Sequence, residues 1–474
     1  MTARLAGGLF SGTKDPAGLG SIAHAPAGEG MYNLIQMPRK ILPQFISICL
    51  RCLLFIPVLA WQAGLAPAAD LDFFKGGDIA AMLREMPPAP KALTPLPALE
   101  PLAAQPLRNW TVMVYMSGKN DLVFSLRDDM NEMEEAGSTG NMNVVAQLGH
   151  MGTTDRPWPV SRVFVQKDQY PNYISSQALE KRDNADMGDW RELADFIKWS
   201  KTNFPARKYM LIISGHGSGW WAYGRPSAVK GISFDDQSGR HISTQGLRLA
   251  LEQGGGVDVY ASDACLMQMT EVAYEIRKSA KFIVGSEEAG PAFGYQYKDF
   301  LLKAASTPDP SPRELAAAAV EAYVRSYIDG TGAYHRDVTH SYLDASRLDG
   351  LIPLLDEWTA AAMKNKDKKA ISRAIKEVKR FESSDYMDLV DFMSLAGGYA
   401  RTPELRGASA RLSGYLSDQV IGLNAVSGAA NARAHGLSIW IPYAFKKTYE
   451  DLAFARDSRW DEFVATLVKH TYPN

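Results

Sequence analysis

Two short segments carry side chains able to do covalent chemistry. Ser214-Gly215-His216-Gly217-Ser218-Gly219-Trp220 presents an imidazole among glycines, and Ser262-Asp263-Ala264-Cys265 presents a thiol. A cysteine beside a histidine is a nucleophile with its base or electrostatic partner. Gly217 has no side chain, so its N–H can approach a reacting carbonyl closely; with the Cys265 N–H it could form an oxyanion hole. The glycines flanking His216 permit a tight turn that projects the ring. Each feature also has a plainer meaning. A lone histidine after a strand is usually a loop residue, and a lone cysteine is as often an inert, buried small hydrophobe as a reactive thiol. The glycine spacing fits neither the dinucleotide nor the Walker fingerprint. A serine hydrolase built on Ser214 or Ser262 lacks the Gly-x-Ser-x-Gly elbow. No Cys and His spacing beyond residue 70 suits a zinc site of the usual kind.

The elements that must position these groups are legible as short apolar runs at 110–116, 143–148, 209–214, 257–262 and 281–285. Helical patterns separate them at 122–136, 189–203, 244–253 and 266–279. Near-continuous apolar strands between helices imply a parallel sheet covered on both faces. His216 and Cys265 then follow the carboxyl ends of two strands, where open parallel sheets place ligands. Cys265 opens the helix expected over 266–279, and a helix N-terminus favours the thiolate. The segment 162–165 reads as one arm of a short edge hairpin. From about residue 311 the pattern is mainly helical, over 313–327, 348–363 and 368–381. A strand-like run at 435–441 then ends in Pro442 and could join the main sheet.

The chain has 474 residues, with 51 Lys and Arg against 53 Asp and Glu; 46 % are apolar and 22 % charged. This balance excludes a disordered chain and a multispan membrane protein, and the lack of a basic excess argues against nucleic acid as a partner. Residues 1–69 form a signal-peptide region: Arg39 and Lys40 precede an apolar run, and Ala66 and Ala68 suit a small-residue cleavage site. Residues 1–36 carry no periodicity, so Met1 need not be the true start. The expectation is an exported protein, periplasmic or secreted, with no stable membrane insertion once the signal is removed. Of the three cysteines, Cys49 and Cys52 lie in this region, so the mature chain keeps only Cys265. Seven prolines between 87 and 107 mark residues 70–108 as a linker or propeptide. A catalytic domain over 109–305 and a helical region over 306–474 with one strand complete the expected organisation.

His-Gly-Ser-Gly-Trp (216–220), Ser-Phe-Asp-Asp-Gln-Ser-Gly (233–239), Asp-Ala-Cys-Leu-Met (263–267), Glu-Val-Ala-Tyr-Glu (271–275) and Ser-Glu-Glu (286–288) together resemble the clostripain-like cysteine peptidases. That family belongs to the caspase-like clan. The resemblance implies an α/β fold: a caspase-like three-layer sandwich with a mostly parallel central sheet, plus a mainly helical C-terminal region. It implies a His216–Cys265 dyad that cleaves peptides or proteins through a thioester acyl-enzyme. With a thiol pKa already lowered, His216 would serve mainly to protonate the leaving amine. Cleavage after Arg or Lys is implied, with Asp263 as the pocket acid; the plainer role for Asp263 is an acid at a helix N-terminus.

Some relatives add a second pocket acid after Ser-Glu-Glu, but Ala289–Tyr295 here carries no carboxylate. The resemblance also implies self-processing between the dyad positions, with Arg225, Lys230 and Arg240 as candidates and Lys230 preferred. No cofactor is required. Calcium, used by some relatives, could bind at Asp235-Asp236, although adjacent acids without spaced oxygen ligands read better as turn residues. The competing expectation is a caspase-like scaffold that binds peptides or partners without cleaving them.

Overall fold

The computed structural model describes residues 106–151, 159–170, 173–221, 231–328, 337–364 and 366–471. The signal-peptide region, nearly all of the proline-rich segment, Arg225 and Lys230 lie outside the described residues. The first half runs β1 (Arg108–Gly118), α1 (Val123–Ala136), β2 (Met142–His150), β3 (Val160–Phe164), β4 (Ala178–Arg182), α2 (Trp190–Asn203) and β5 (Ala206–Ser214). Next come β6 (Ile232–Asp235), β7 (Arg240–Ile242), α3 (Thr244–Gln253), β8 (Val257–Asp263), α4 (Thr270–Ile276), β9 (Ala280–Gly285), α5 (Tyr297–Ser306) and α6 (Pro312–Ile328). The remaining strands are β10 (Thr339–Asp344), β11 (Tyr386–Asp388), β12 (Ile421–Val426) and β13 (Ser438–Trp440), set among further helices.

Nine strands form one sheet in the order β12-β10-β9-β8-β5-β1-β2-β3-β4. The five apolar runs of the sequence are its parallel centre: β2, β1, β5, β8 and β9. The pleat sends alternate side chains to opposite faces. Val112, Val114 and Met116 pack with α1, α5 and α6, whereas Met113 and Tyr115 pack with α2, α3 and α4. Both layers are apolar because both faces are covered, which gives the three-layer sandwich. Helix starts follow local chemistry. The Asp189 side chain accepts from the Arg191 N–H at the start of α2, and Ser243 accepts from the Gly246 N–H at the start of α3. No described helix is long and apolar enough to cross a membrane.

Three expectations differ from what is observed. Among the described residues beyond 306 there are four strands, not one, and β10 and β12 extend the main sheet as antiparallel additions. The run at 435–441 shortens to β13 and pairs with β11 in a separate two-stranded sheet. The helix expected over 266–279 begins only at Thr270. Leu266, a residue with a side chain, takes φ +62°, a left-handed conformation that interrupts any helix there.

Candidate active site

Parallel pairing of β5 with β8 ends at Ser214 opposite Asp263, and the Gly215 N–H donates to Asp263 O at 3.1 Å. His216 and Cys265 each stand two residues beyond this pair, so the strand ends carry the imidazole and the thiol to one edge. Gly217 packs against the Cys265 turn. A Cβ built on Gly217 would sit 2.5 Å from the Cys265 carbonyl oxygen, so a side chain there requires a backbone shift. Neither the Gly217 nor the Cys265 N–H donates to a described residue.

His216 has a partner that sequence reasoning missed. Its Nε2 lies 2.6 Å from Asp121 Oδ1, with the ring edge-on to Phe234. Asp121 follows β1, the strand beside β5. Its signal was visible as the polar run Gly118-Lys-Asn-Asp121 at a third carboxyl end of the parallel sheet. A carboxylate on one imidazole nitrogen fixes the ring and faces the charge it acquires on taking a proton.

Cys265 sits in a turn five residues ahead of α4, so the helix N-terminus expected to lower its pKa is not there. Burial instead pushes the thiol up to about 11, and the carboxylates of Asp263, Glu288 and Glu382 add to the rise. The Gly290 N–H, 3.3 Å from Sγ, acts in the opposite direction. A thiol raised this far is mostly protonated in the neutral range. Ser-Glu-Glu frames this turn: the Leu266 N–H donates to Glu288 O at 3.3 Å, and the Glu288 carboxylate accepts from the Glu382 N–H at 2.6 Å. Glu287 is buried and accepts from the Gly436 N–H at 2.8 Å. These glutamates hold the Cys265 turn against the C-terminal segments.

Asp263 is the last residue of β8 and is 6 % exposed. It accepts from Tyr297 Oη at 3.0 Å, Ser214 Oγ at 3.1 Å and the Tyr295 N–H at 3.4 Å. Burial raises its pKa to about 6 against these three donors. It does not cap α4, which starts seven residues later. Gly294 crosses above it at φ +50°, where a Cβ would meet Asp263 Oδ2 at 2.5 Å. Asp235 is a turn residue: its Oδ1 accepts from the Gln237 and Ser238 N–H groups and its Oδ2 from the Met187 N–H. Arg240 opens β7 and lies within 3.4 Å of Asp186.

A model of the clostripain family matches residues 114–466. Clostripain from Hathewaya histolytica is 29 % identical over 215 residues, covering 39 % of this chain and 40 % of that relative, well under two thirds of its length. Among solved structures, a secreted C11 cysteine protease from Bacteroides thetaiotaomicron in complex with an irreversible peptide inhibitor is similar, with TM-score 0.57 and 18 % identity. That match covers 75 % of this chain and 99 % of the other. An inactive zymogen C11 protease from Parabacteroides distasonis gives TM-score 0.56 and 18 % identity over 74 % and 98 % of the two chains. At these identities the likeness is one of fold.

Proposed function

The chain belongs to the clostripain family, and from that premise we propose that it is an exported cysteine endopeptidase with His216 and Cys265 as its dyad. The observation that supports this is the β5–β8 register, which sets the His216 and Cys265 segments beside each other, next to N–H groups that donate to no described residue. Because the thiol is raised, His216 acts first as the base. With Nε2 on Asp121, Nδ1 receives the Cys265 proton. The thiolate attacks the peptide carbonyl, and the Gly217 and Cys265 N–H groups take the charge that develops on its oxygen. His216 returns the proton to the leaving amine, the C–N bond breaks and a thioester remains. Water, deprotonated by His216, then releases the acid product and restores the thiol. This chemistry needs no cofactor.

Cleavage after Arg or Lys follows from Asp263, a buried carboxylate with no arginine or lysine among the groups that act on it. A guanidinium or ammonium entering beside it would form a charge-assisted pair. Export is supported by the signal-peptide pattern and by the likeness to a secreted C11 protease. Self-processing is proposed at Lys230, a basic residue between the dyad positions, and the likeness to an inactive zymogen C11 protease suits an enzyme made in inactive form.

The test is turnover of fluorogenic peptides ending in Arg, Lys, Ala or Asp, beside a Cys265→Ala control. Turnover of the Arg and Lys peptides that vanishes in the control is expected. Turnover of uncharged peptides alone would keep the dyad and remove Asp263 from the pocket. Absence of turnover by the processed protein would leave a peptide-binding scaffold.

A further inference from the structure

Helix α1 buries an acid where its neighbours are apolar. Leu126, Met130 and Met133 pack into the core, yet Asp129 among them is only 4 % exposed. No described residue gives its carboxylate a hydrogen bond or an ion pair. Its chain neighbours are tied to the pocket acid. Glu132, one turn later, accepts from the Tyr297 N–H at 2.8 Å, and Tyr297 Oη donates to Asp263 at 3.0 Å. Tyr297 and Tyr327 both feel the charge of Asp129 as well as that of Asp263. Burial holds the Asp129 carboxyl well above the usual carboxylate range, and the neighbouring acids Asp263, Glu132 and Asp128 raise it further. A buried carboxylate without a partner, set beside other acids, destabilises a fold unless something supplies the missing charge.

We propose that Asp129 is a specificity-determining residue: the second carboxylate of the pocket whose first is Asp263, taking the cationic side chain that precedes the scissile bond. It rests on the assignment of Asp263 to that pocket. The second acid then comes from α1, not from the segment after Ser-Glu-Glu, where Ala289–Tyr295 has none. A guanidinium, planar and with five N–H donors, can satisfy two separate carboxylates at once, whereas an ammonium is a compact charge with three. The pair therefore favours Arg over Lys.

The test compares wild type, Asp129→Asn and Asp129→Glu on peptides carrying Arg, Lys or citrulline, the neutral isostere of Arg. Asp129→Asn is expected to lower the Arg-to-citrulline ratio of kcat/KM roughly tenfold to hundredfold, mainly through KM. Asp129→Glu, which keeps the charge, restores part of that ratio. Because Asn removes an unpaired charge, Asp129→Asn should melt at or above the wild-type temperature at pH 8. A ratio unchanged within about twofold overturns the proposal. So does a variant that melts well below wild type, since that marks a structural carboxylate. A wild-type enzyme with no preference for Arg over citrulline would instead remove Asp263 from the pocket, and Asp129 with it.

Discussion

Ser214 and Asp263 stand opposite each other at the ends of neighbouring parallel strands, with Ser214 Oγ donating to Asp263 Oδ2 at 3.1 Å. The offset of that register is 263 − 214 = 49, and the offset between His216 and Cys265 is 265 − 216 = 49. The spacing of His216 and Cys265 along the chain therefore equals the register offset that sets their two segments beside each other. A slip of one residue in β8 would turn its apolar side chains to the wrong faces of the sheet, so the core that stabilises the fold also holds this alignment.

Asp121 should matter as a positioning residue. Replacing it with Asn keeps the shape but removes the charge facing His216 at 2.6 Å. We expect kcat to fall by roughly a hundredfold or more with little change in KM. Steady-state kinetics on an Arg peptide checks this, and an unchanged kcat would detach Asp121 from the mechanism.

Gly217→Ala should cost activity because the new Cβ meets the Cys265 carbonyl at 2.5 Å and displaces one of two N–H donors. Loss of one such donor lowers kcat by about 10²–10³. The strain should also lower stability by about 1–3 kcal/mol. Activity and thermal melting measured together separate the two effects.

The raised thiol predicts the pH course of alkylation. With Cys265 near 11, the rate of reaction of the free enzyme with iodoacetamide should keep climbing above pH 9. A plateau reached by pH 7 would mean a thiolate already formed at rest. It would restore the leaving-group role expected of His216 from sequence.

Asp263 predicts a stability profile of definite sign. Its folded pKa is raised to about 6, above the ordinary 3.8. Its contribution is therefore fully present below about pH 4 and is lost as pH rises through 6. Asp263→Asn should melt above wild type at pH 8, by on the order of 2–3 kcal/mol, with the difference gone near pH 4. KM for Arg peptides should rise as pH falls through 6, because the protonated acid no longer attracts the cation. Thermal melts and kinetics across pH 4–8 read both.

The parallel centre of the sheet was legible because strands buried on both faces write themselves as apolar runs. The position of His216 and Cys265 just beyond two strand ends was legible because apolar runs stop where those strands stop. Three things were not. Asp121 partners His216 from another strand end, and that contact depends on the β1–β5 neighbourhood. The turn after Cys265 hides behind helical spacing, since Leu266, Met269, Ala273 and Ile276 suit a helix face even though Leu266 sits at positive φ. Strands β10, β11 and β12 are short and flanked by helices, so periodicity had little to mark them with.

Covalent capture reports on Cys265 as the nucleophile without depending on substrate choice. The protein would be incubated with a peptidyl chloromethyl ketone bearing Arg, digested, and mapped by mass spectrometry. One adduct is expected, on the peptide containing Cys265, formed in step with loss of activity and absent from Cys265→Ala. Loss of activity with the adduct on another residue, or Cys265→Ala still cleaving peptides, would contradict Cys265 as the nucleophile.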